Sequence, residues 1–376
     1  MDISTICVHG CEKKFDITGA VAVPIFASAT FAHPGVGRST GFDYSRSLNP
    51  TTVHLEDTVA ALEGGGYATA FSSGMAAVSA LMELFSPGDH IIACDDLYGG
   101  TVRLFSHISQ KNGIKVSYAA SPENIEKSMT GSTKAVFLET PSNPMMRVTD
   151  IAAAADITKK NNALLVVDNT FLTPYFQQPF SHGADIILHS GTKYLGGHND
   201  TLAGLLVAND FDLSEKLKFI AKTTGGCLSP FDSFLIIRGI KTLSVRMERQ
   251  QESALKIARW LMEQSAVNKV YYPGLKDHPD YEISRRQTSG FGGMISFSVS
   301  GRQTAECILE NVKVIKYAES LGGVESLITY PMLQTHADLP ENERKERGID
   351  ECLLRLSVGL EASDDLIADL NQALKI

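Results

Sequence analysis

The sequence of 376 residues predicts an α/β fold, in which a large domain built on a mainly parallel sheet is followed by a smaller α/β domain. Three observations support this prediction. Apolar runs of strand length alternate with helical patterns between Leu55 and Asn209. These runs are almost continuously apolar, as expected for strands that are covered on both faces. A long helical zone, roughly Ser233–Ala266, then separates this region from one with a different pattern.

The composition is that of an ordinary globular protein and excludes several other classes. Apolar residues make up 43% of the chain and charged residues 20%. No run approaches the roughly 18 apolar residues of a membrane-spanning helix, and the N-terminus shows no signal-peptide pattern. The net charge of −9 argues against non-specific nucleic-acid binding, which usually needs a basic surface. We therefore expect a cytoplasmic protein without membrane or nucleic-acid partners.

The six cysteines are scattered along the chain. Cys7 and Cys11 lie close together, but no second pair follows at the spacing of a zinc site. We therefore expect free thiols and no metal site, as is usual in a reducing compartment.

The elements of the first domain follow from these patterns in chain order. Residues 1–50 are predicted to form an irregular arm, because Gly and Pro interrupt stretches such as Thr18–Pro24. Within residues 51–245, strands are predicted at His90–Cys94, Lys115–Ala119, Lys134–Glu139, Ala163–Asp168, Asp185–His189 and Leu202–Ala208. Helices are predicted between them, for example at Thr101–Lys111 and Asp150–Asn161.

The second domain is predicted for residues 246–376, with its boundary near Arg246. In the helical zone at this boundary, one side could be lined by Leu243, Met247, Leu255 and Leu261. Beyond this zone, the patterns predict strands at Gly293–Val299 and Leu353–Val358 and helices at Thr304–Asn311 and Ala362–Leu374.

One lysine, Lys193, follows an apolar strand and two hydroxyl residues, Ser190 and Thr192. Burial of an ammonium group is costly unless the group is paired or its pKa is shifted. A desolvated lysine amine is partly neutral near pH 7 and can form a Schiff base with an aldehyde. An ordinary surface lysine in a turn would give the same local sequence.

An aspartate, Asp168, directly follows the apolar run that precedes the Lys193 strand. A single crossover would set the ends of these two strands side by side, where ligands collect in open α/β sheets. An acid at this point could pair with a protonated pyridine nitrogen, as expected for pyridoxal 5′-phosphate (PLP). A helix cap or a turn aspartate is the alternative interpretation.

Other patterns suit an anionic aromatic cofactor and an amino-acid substrate. The small residues Ser72–Ala77 at a helix start can cradle a phosphate, and Tyr98 in a glycine-rich loop can stack on a ring. Tyr44 and Arg46, two residues apart, suit a phosphate, and Arg355 on an apolar strand suits a carboxylate. Each pattern taken singly also fits a structural role, namely a capped helix, a packed ring or a salt bridge.

Together these segments resemble the PLP-dependent transsulfuration family, whose members have the aspartate-aminotransferase-like fold, also called fold type I. The resemblance extends over nearly the whole chain. It rests on motifs in a fixed order: Tyr44-x-Arg46, Ser73-Gly-Met75, Tyr98-Gly-Gly, Glu139-Thr-Pro-Ser-Asn-Pro144, Asp168-Asn-Thr170, Ser190-x-Thr-Lys193 and Arg355-Leu-Ser-Val-Gly-Leu-Glu361.

The resemblance implies a role for each matched residue. Lys193 binds PLP covalently and later moves protons, Asp168 keeps the pyridine nitrogen protonated, and Tyr98 stacks on the ring and is also catalytic. The cofactor-binding residues implied are Tyr44, Arg46, Ser73, Gly74, Met75, Tyr98, Asn143, Asp168, Thr170, Ser190, Thr192 and Lys193. Tyr44 and Arg46 are implied to come from an adjacent subunit, reached by the N-terminal arm, so the active unit is a homodimer that usually pairs into a homotetramer.

The resemblance also implies how a substrate is held. Arg355, with Ser320 nearby, takes the substrate carboxylate. Glu319 matches an acid that binds the distal amino group of cystathionine in γ-synthases and γ-lyases. Asp43 and Arg103 match positions of distal-substrate contacts.

Within the family, three segments look most like bacterial γ-synthases that accept O-acetylhomoserine: 39–44, 197–200 and 327–331. They predict γ-replacement of an O-acyl-L-homoserine by L-cysteine, giving L-cystathionine. The alternatives are γ- or β-lysis of cystathionine and sulfhydrylation of O-acetylhomoserine. A PLP-binding protein without turnover is disfavoured, because Lys193, Tyr98 and Arg355 are all present.

Overall fold

The computed structural model describes residues 1–10, 19–337 and 340–375; Cys11, of the noted cysteine pair, lies outside these ranges. The described strands are β1 (Tyr67–Phe71), β2 (His90–Cys94), β3 (Lys115–Ala119), β4 (Thr133–Glu139), β5 (Leu164–Asp168), β6 (Ile186–Ser190), β7 (Gly204–Ala208), β8 (Val267–Tyr271), β9 (Met294–Val299), β10 (Lys316–Tyr317), β11 (Leu327–Thr329) and β12 (Leu353–Ser357). The described α-helices are α1 (Ile3–His9), α2 (Pro50–Leu62), α3 (Gly74–Met82), α4 (Gly99–Leu104), α5 (Pro122–Ser128), α6 (Ile151–Lys160), α7 (Thr173–Phe176), α8 (Phe211–Thr224), α9 (Pro230–Ile240), α10 (Leu243–Met262), α11 (Tyr281–Gln287), α12 (Arg302–Asn311), α13 (Glu341–Glu346) and α14 (Ser363–Leu374).

The larger sheet contains seven strands in the order β1-β7-β6-β5-β4-β2-β3. Strands β6, β5, β4, β2 and β3 pair in parallel, and β7 runs antiparallel to both of its neighbours. The carboxyl ends of β4, β5 and β6 are therefore adjacent, with Glu139 opposite Asp168 and Asp168 opposite Leu188.

Helices cover this sheet on both faces. On β7, Leu206 and Ala208 pack in a core with α3, α6 and α8, whereas Leu205 and Val207 pack in a core with α2, α9 and α10. Because successive residues of a strand point to opposite faces, both faces must be apolar. This explains why the sequence shows continuous apolar runs rather than alternation.

The six strands predicted for this region are confirmed to within two residues at each end. The expectation of burial on both faces is wrong for β3, because this strand lies at the sheet edge with Lys115 and Tyr118 exposed. Strand β1 was not predicted; it follows three glycines and pairs with β7 at the opposite edge. The predicted helix 101–111 corresponds to α4 and a π-helical turn at Phe105–Ser109.

The smaller sheet contains five strands in the order β10-β11-β12-β9-β8, and most of its pairs are antiparallel. Its core packs against α10, α12 and α14. The two strands and two helices predicted for this region are confirmed. Two sheets of this kind confirm the predicted class, a large mainly parallel-sheet domain followed by a smaller α/β one.

The predicted helical zone, roughly 233–266, contains two helices, α9 and α10, and α8 precedes them in the connection between the two sheets. On α10, Leu243, Met247 and Leu261 are fully buried, as predicted, while Leu255 is partly buried. The predicted boundary near Arg246 falls inside α10 and stays a prediction.

The N-terminal arm is irregular over residues 19–49, where the backbone pairs through isolated bridges such as Thr30 with Tyr44. The prediction is wrong for residues 3–9, which form α1. Asp2 caps this helix, and buried Cys7 anchors it against α2 and α10. In the parts of the chain that the structure describes, no helix combines the length and apolarity needed to cross a membrane.

Candidate functional site

A cavity of about 360 Å³ opens at the carboxyl ends of β4, β5 and β6, between the two sheets. Most of the predicted site residues line it: Ser73, Gly74, Met75, Tyr98, Asn143, Asp168, Thr170, Ser190, Thr192, Lys193, Glu319, Ser320 and Arg355. A larger cleft of about 510 Å³, beside Lys269 and Arg347, contains none of the predicted site residues. The predicted chemistry is therefore concentrated in the first cavity.

Lys193 lies in the turn after β6, where its backbone N–H donates to the carbonyl of Ser190 at 3.1 Å. Its Nζ donates to Ser320 Oγ at 2.8 Å. Burial, and secondarily the nearby Arg355 charge, lowers the pKa of the Lys193 amine to about 8, whereas Glu319 acts in the opposite direction. A larger fraction of this amine is neutral near pH 7 than of an ordinary lysine, which suits it to nucleophilic attack on a carbonyl.

Asp168 ends strand β5 and faces the cavity. Its Oδ1 accepts hydrogen bonds from the backbone N–H of Thr170 at 3.0 Å and from Thr170 Oγ1 at 2.5 Å. Burial raises the pKa of Asp168, while the two Thr170 bonds and the nearby His189 oppose this shift. The same donors fix the direction in which the carboxyl points.

A cradle for an anion forms where α3 begins. Ser73 caps the helix by accepting from the Ala76 N–H at 3.0 Å, and the intrahelical bonds start with Ala77 donating to Ser73 at 3.1 Å. The N–H groups of Gly74 and Met75 therefore precede the helical ladder and can bind an anion.

Two glycines permit the close approach that shapes this cradle. A Cβ at Gly204 would lie 2.1 Å from the carbonyl oxygen of Ser73, and one at Gly74 would lie 3.2 Å from the Ser190 side chain. A larger residue at Gly204 would push the cradle out of place.

Arg355, in the middle of β12, is 1% exposed. Its guanidinium donates to Asn143 Oδ1 at 2.8 Å, to the Ser320 carbonyl at 3.1 Å and to Thr329 Oγ1 at 3.2 Å. Burial lowers the pKa of Arg355 to about 10. Among the described residues all of its hydrogen-bond acceptors are neutral, so a carboxylate entering the cavity would be its first direct anionic partner.

Ser320 connects Arg355 to Lys193, since its carbonyl and its hydroxyl bind these two residues respectively. Its φ of 90° lies in a region that is unfavourable for residues other than glycine. Such strain is retained where the surrounding structure enforces it, often at functional sites. Glu319, next to it, is exposed at the cavity wall.

Tyr98 stands at the start of α4, and its backbone N–H donates to Glu139 Oε2 at 2.9 Å. A Cβ at Gly100 would lie 2.5 Å from Cε1 of the Tyr98 ring. Glycine at position 100 therefore lets the ring fold back over its own loop and reach the cavity wall.

Four predicted site residues do not line the cavity of their own chain: Tyr44, Arg46, Asp43 and Arg103. Arg46 donates to the carbonyl of Lys222 at 2.6 Å and lies over the Tyr44 ring, while Asp43 accepts from Ser39 and lies 3.4 Å from His33. The roles implied for these four residues stay predictions.

Two buried acids near the cavity, Glu139 and Glu63, were not predicted as site residues. Glu139 ends the apolar run of β4 just as Asp168 ends that of β5. This shared position at a strand end is the sequence pattern from which Glu139 could have been predicted as a site residue. Glu63 accepts from His189 Nε2 at 2.5 Å and from Asn169 Nδ2 at 3.0 Å, directly behind the β5–β6 ends. No sequence pattern predicts that Glu63 lies here, because its hydrogen-bond partners are more than 100 positions away in the chain.

The cavity wall also includes part of the loop 331–337, which was not predicted from the sequence to contribute to the site. A Cβ at Gly99 would lie 2.2 Å from the Thr335 carbonyl oxygen, so the 331–337 loop packs directly on the Tyr98 loop. His336 Nε2 lies 3.3 Å from the Leu97 carbonyl, and burial lowers the pKa of His336 to about 4.

Comparison with known proteins agrees with this geometry. A family model described as Cys/Met metabolism PLP-dependent enzyme matches residues 4–375. A cystathionine gamma-lyase of Bacillus subtilis (strain 168) is 48% identical over 377 residues, covering 100% of both chains. A cystathionine beta-lyase of Lactococcus lactis subsp. cremoris (strain MG1363) is 48% identical and covers 99% of both chains.

A solved structure extends the match to the fold. Cystathionine gamma synthase from Xanthomonas oryzae pv. oryzae, in complex with aminoacrylate and cysteine, superposes with a TM-score of 0.97 at 40% identity, covering 100% of this chain and 98% of that chain. These matches confirm the predicted fold type I class and the predicted PLP dependence. The chain therefore belongs to the Cys/Met metabolism PLP-dependent enzyme family.

Proposed function

We propose that this enzyme catalyses γ-replacement of O-acyl-L-homoserine by L-cysteine, giving L-cystathionine. The observation that carries this proposal is the presence of Glu319, Lys193 and Arg355 in one cavity. A buried guanidinium and a carboxylate beside one reactive amine suit a molecule with an α-carboxylate at one end and an ammonium group at the other.

The residues of the cavity fit PLP. The N-terminus of α3 and the hydroxyl of Ser190 suit its phosphate, and the carboxyl of Asp168 suits a protonated pyridine nitrogen. The amine of Lys193, with its lowered pKa, suits the aldehyde. When bound, PLP supplies an electron sink for the carbanion formed at the substrate Cα.

Lys193 moves the protons of the reaction. Its Nζ accepts the proton that leaves the substrate Cα and returns a proton later, and a pKa near 8 allows it to act in both directions near neutral pH. Ser320 Oγ holds Nζ at the cavity wall when Lys193 is free. Tyr98 and Asn143 line the same cavity and would hold the PLP ring, and Asn143 also orients Arg355 by accepting its hydrogen bond.

Arg355 binds the substrate α-carboxylate through N–H groups that its own chain has already aligned. Glu319 binds the ammonium group of the incoming cysteine and so directs its thiol to the γ carbon. The bond from this carbon to the acyloxy group breaks first and the acyl group leaves as a carboxylate; the C–S bond then forms, and the thiol proton replaces a proton that the substrate carbon skeleton has given up. Because Glu319 is exposed, its attraction for the ammonium group is modest and depends on salt.

The proposed enzyme acts as an oligomer in the cytoplasm. Tyr44 and Arg46, which do not line the cavity of their own chain, complete the phosphate site of a second copy, so the active unit is a homodimer. As the family resemblance implies, two such dimers pair into a homotetramer. The free thiols of Cys7, Cys94, Cys227, Cys307 and Cys352 are consistent with action in the cytoplasm.

The direct test is product analysis by mass. With O-acetylhomoserine and cysteine, the proposal expects cystathionine and acetate in equal amounts, and Glu319→Gln should raise the KM for cysteine by about 3- to 10-fold. Absence of cystathionine under these conditions would reject γ-replacement. Glu325→Gln, at an exposed acid outside the cavity, is the matched control.

Lysis of cystathionine is the second candidate, because relatives with 48% identity are named cystathionine gamma-lyase and cystathionine beta-lyase. Incubation with cystathionine alone distinguishes the two lytic reactions. Release of cysteine, 2-oxobutanoate and ammonia indicates γ-lysis, and release of homocysteine, pyruvate and ammonia indicates β-lysis. Sulfhydrylation would instead convert O-acetylhomoserine and sulfide to homocysteine and acetate.

A further inference from the structure

Two carboxyl residues occupy adjacent strand ends in the cavity. Glu139 and Asp168 are direct register partners on the parallel strands β4 and β5, and both line the cavity. Glu139 is 5% exposed. Two carboxylates at such close range in a buried site do not both ionise readily, so the pair shares its negative charge unequally.

The hydrogen bonds decide which carboxyl carries the charge. Asp168 accepts two bonds from Thr170, and each of them stabilises its ionised form. Glu139 accepts one bond, from the backbone N–H of Tyr98. Burial, and then the charge of Asp168, raises the pKa of Glu139 well above its usual range.

The other ionisable groups that face Glu139 do not reverse this balance. Cys94 ends β2 and Asp96 follows it, and neither side chain can carry a positive charge that would favour ionised Glu139. Asp96 raises the pKa of Glu139 further. Arg355, on β12, is the cation that opposes the shift, and it ranks below burial and below Asp168.

We propose that Glu139 is a positioning residue, which holds the Tyr98 loop through the Tyr98 backbone N–H as a neutral carboxylic acid and leaves the negative charge on Asp168. The inference rests on the roles proposed above for Tyr98 and Asp168. As a neutral acid Glu139 adds no second negative charge beside the pyridine nitrogen, and its Oε2 fixes the start of α4. Since Gly99 packs against the Thr335 carbonyl, a displaced Tyr98 loop would also disturb the opposite cavity wall.

Two substitutions separate the hydrogen bond from the charge. Glu139→Gln retains an acceptor oxygen and is neutral at every pH, whereas Glu139→Ala removes the acceptor. Two readouts on the PLP-loaded enzyme need no substrate: the pH dependence of the visible absorbance of bound PLP, and hydrogen exchange of residues 96–104. A failure of the γ-replacement assignment would therefore leave both readouts intact.

The proposal expects Glu139→Gln to match the wild type, with an absorbance midpoint within about 0.3 pH unit. It expects about 5- to 10-fold faster exchange near Tyr98 in Glu139→Ala, from loss of one buried hydrogen bond. A midpoint moved by about one pH unit or more in Glu139→Gln would show that Glu139 is ionised and would overturn the proposal. Unchanged exchange in Glu139→Ala would overturn its positioning role.

Tyr98→Ala serves as the reference for the role of Tyr98. If this variant leaves the absorbance of PLP unchanged, the proposed stacking of Tyr98 is wrong, while the exchange data still decide whether Glu139 holds the loop. Glu139→Gln has nearly the shape of the native side chain, so its absorbance profile decides the charge question even if Glu139→Ala fails to fold.

Discussion

The Lys193 cavity and the N-terminal arm differ in how one chain holds its charged groups. In the cavity, Arg355 is 1% exposed, and neighbouring elements of the same chain orient it and alter its pKa. In the arm, Tyr44 is 47% exposed, and Arg46 donates to a backbone carbonyl at the surface. Buried Arg355 is thus oriented by several elements of its own chain, whereas Tyr44 and Arg46 of the arm are left at the surface.

The most severe test of this difference is the removal of the reactive amine. Lys193→Ala should lower kcat by about 10³- to 10⁴-fold, because the general acid and base and the covalent attachment of PLP are lost together. Steady-state kinetics with O-acetylhomoserine and cysteine measure the change. Lys241→Ala, at a half-buried lysine that does not line the cavity, should retain full activity. Substantial turnover by Lys193→Ala would contradict the assignment.

A second test concerns the fixed geometry of the cavity. Arg355→Lys keeps a positive charge but loses the paired donors, so KM for O-acetylhomoserine should rise by about 100-fold. PLP content should stay normal, because Arg355 is assigned to the substrate. Normal saturation kinetics in Arg355→Lys would show that the carboxylate binds elsewhere.

The arm provides the third test. Arg46→Ala should weaken PLP binding by about 10- to 100-fold, as expected for loss of one charge-assisted phosphate contact. If the arm serves a second copy, mixing Arg46→Ala with Lys193→Ala chains should restore activity after subunit exchange, since one site of the hybrid dimer has both residues. No recovery after demonstrated exchange would mean that the arm does not complete the site of another chain.

The smallest expected effect is a shift of pH dependence. PLP capture by the enzyme freed of PLP requires the neutral amine of Lys193, so its rate should rise with pH and level off above about 8. Glu319 raises the pKa of Lys193 and Arg355 lowers it. The profile should therefore move to lower pH in Glu319→Gln and to higher pH in Arg355→Met. Shifts in the same direction would contradict this electrostatic account.

Much of this architecture was predictable because it depends on local patterns. The strands β2, β4, β5, β6 and β7 are buried on both faces, which gives continuous apolar runs. The runs of β5 and β6 end at Asp168 and shortly before Lys193, the two residues that the sequence indicated as site candidates. The bounds of β3 were also predicted, but its burial was not, because β3 lies at the edge of the sheet with Lys115 and Tyr118 exposed. Helix α1 has only seven residues, and contacts with α2 and α10 stabilise it more than its own sequence does.

What could not be predicted depends on long-range contacts. The pairing of Glu63 with His189 and the bond from Tyr98 to Glu139 join residues 126 and 41 positions apart. The motif Glu139–Pro144 was noted, but an acid in a sequence motif does not reveal its neighbours or its charge. Synthase and lyase relatives share this fold, so fold alone does not select the reaction.

Chemical mapping of the PLP attachment site tests the central claim most directly. The purified enzyme is reduced with borohydride, digested and analysed by mass spectrometry, with Lys193→Ala treated in parallel. The account predicts about one PLP per wild-type chain, located on the peptide that contains Lys193, and loss of this label in the variant. Stoichiometric label on another lysine, or equal labelling of the variant, would contradict it.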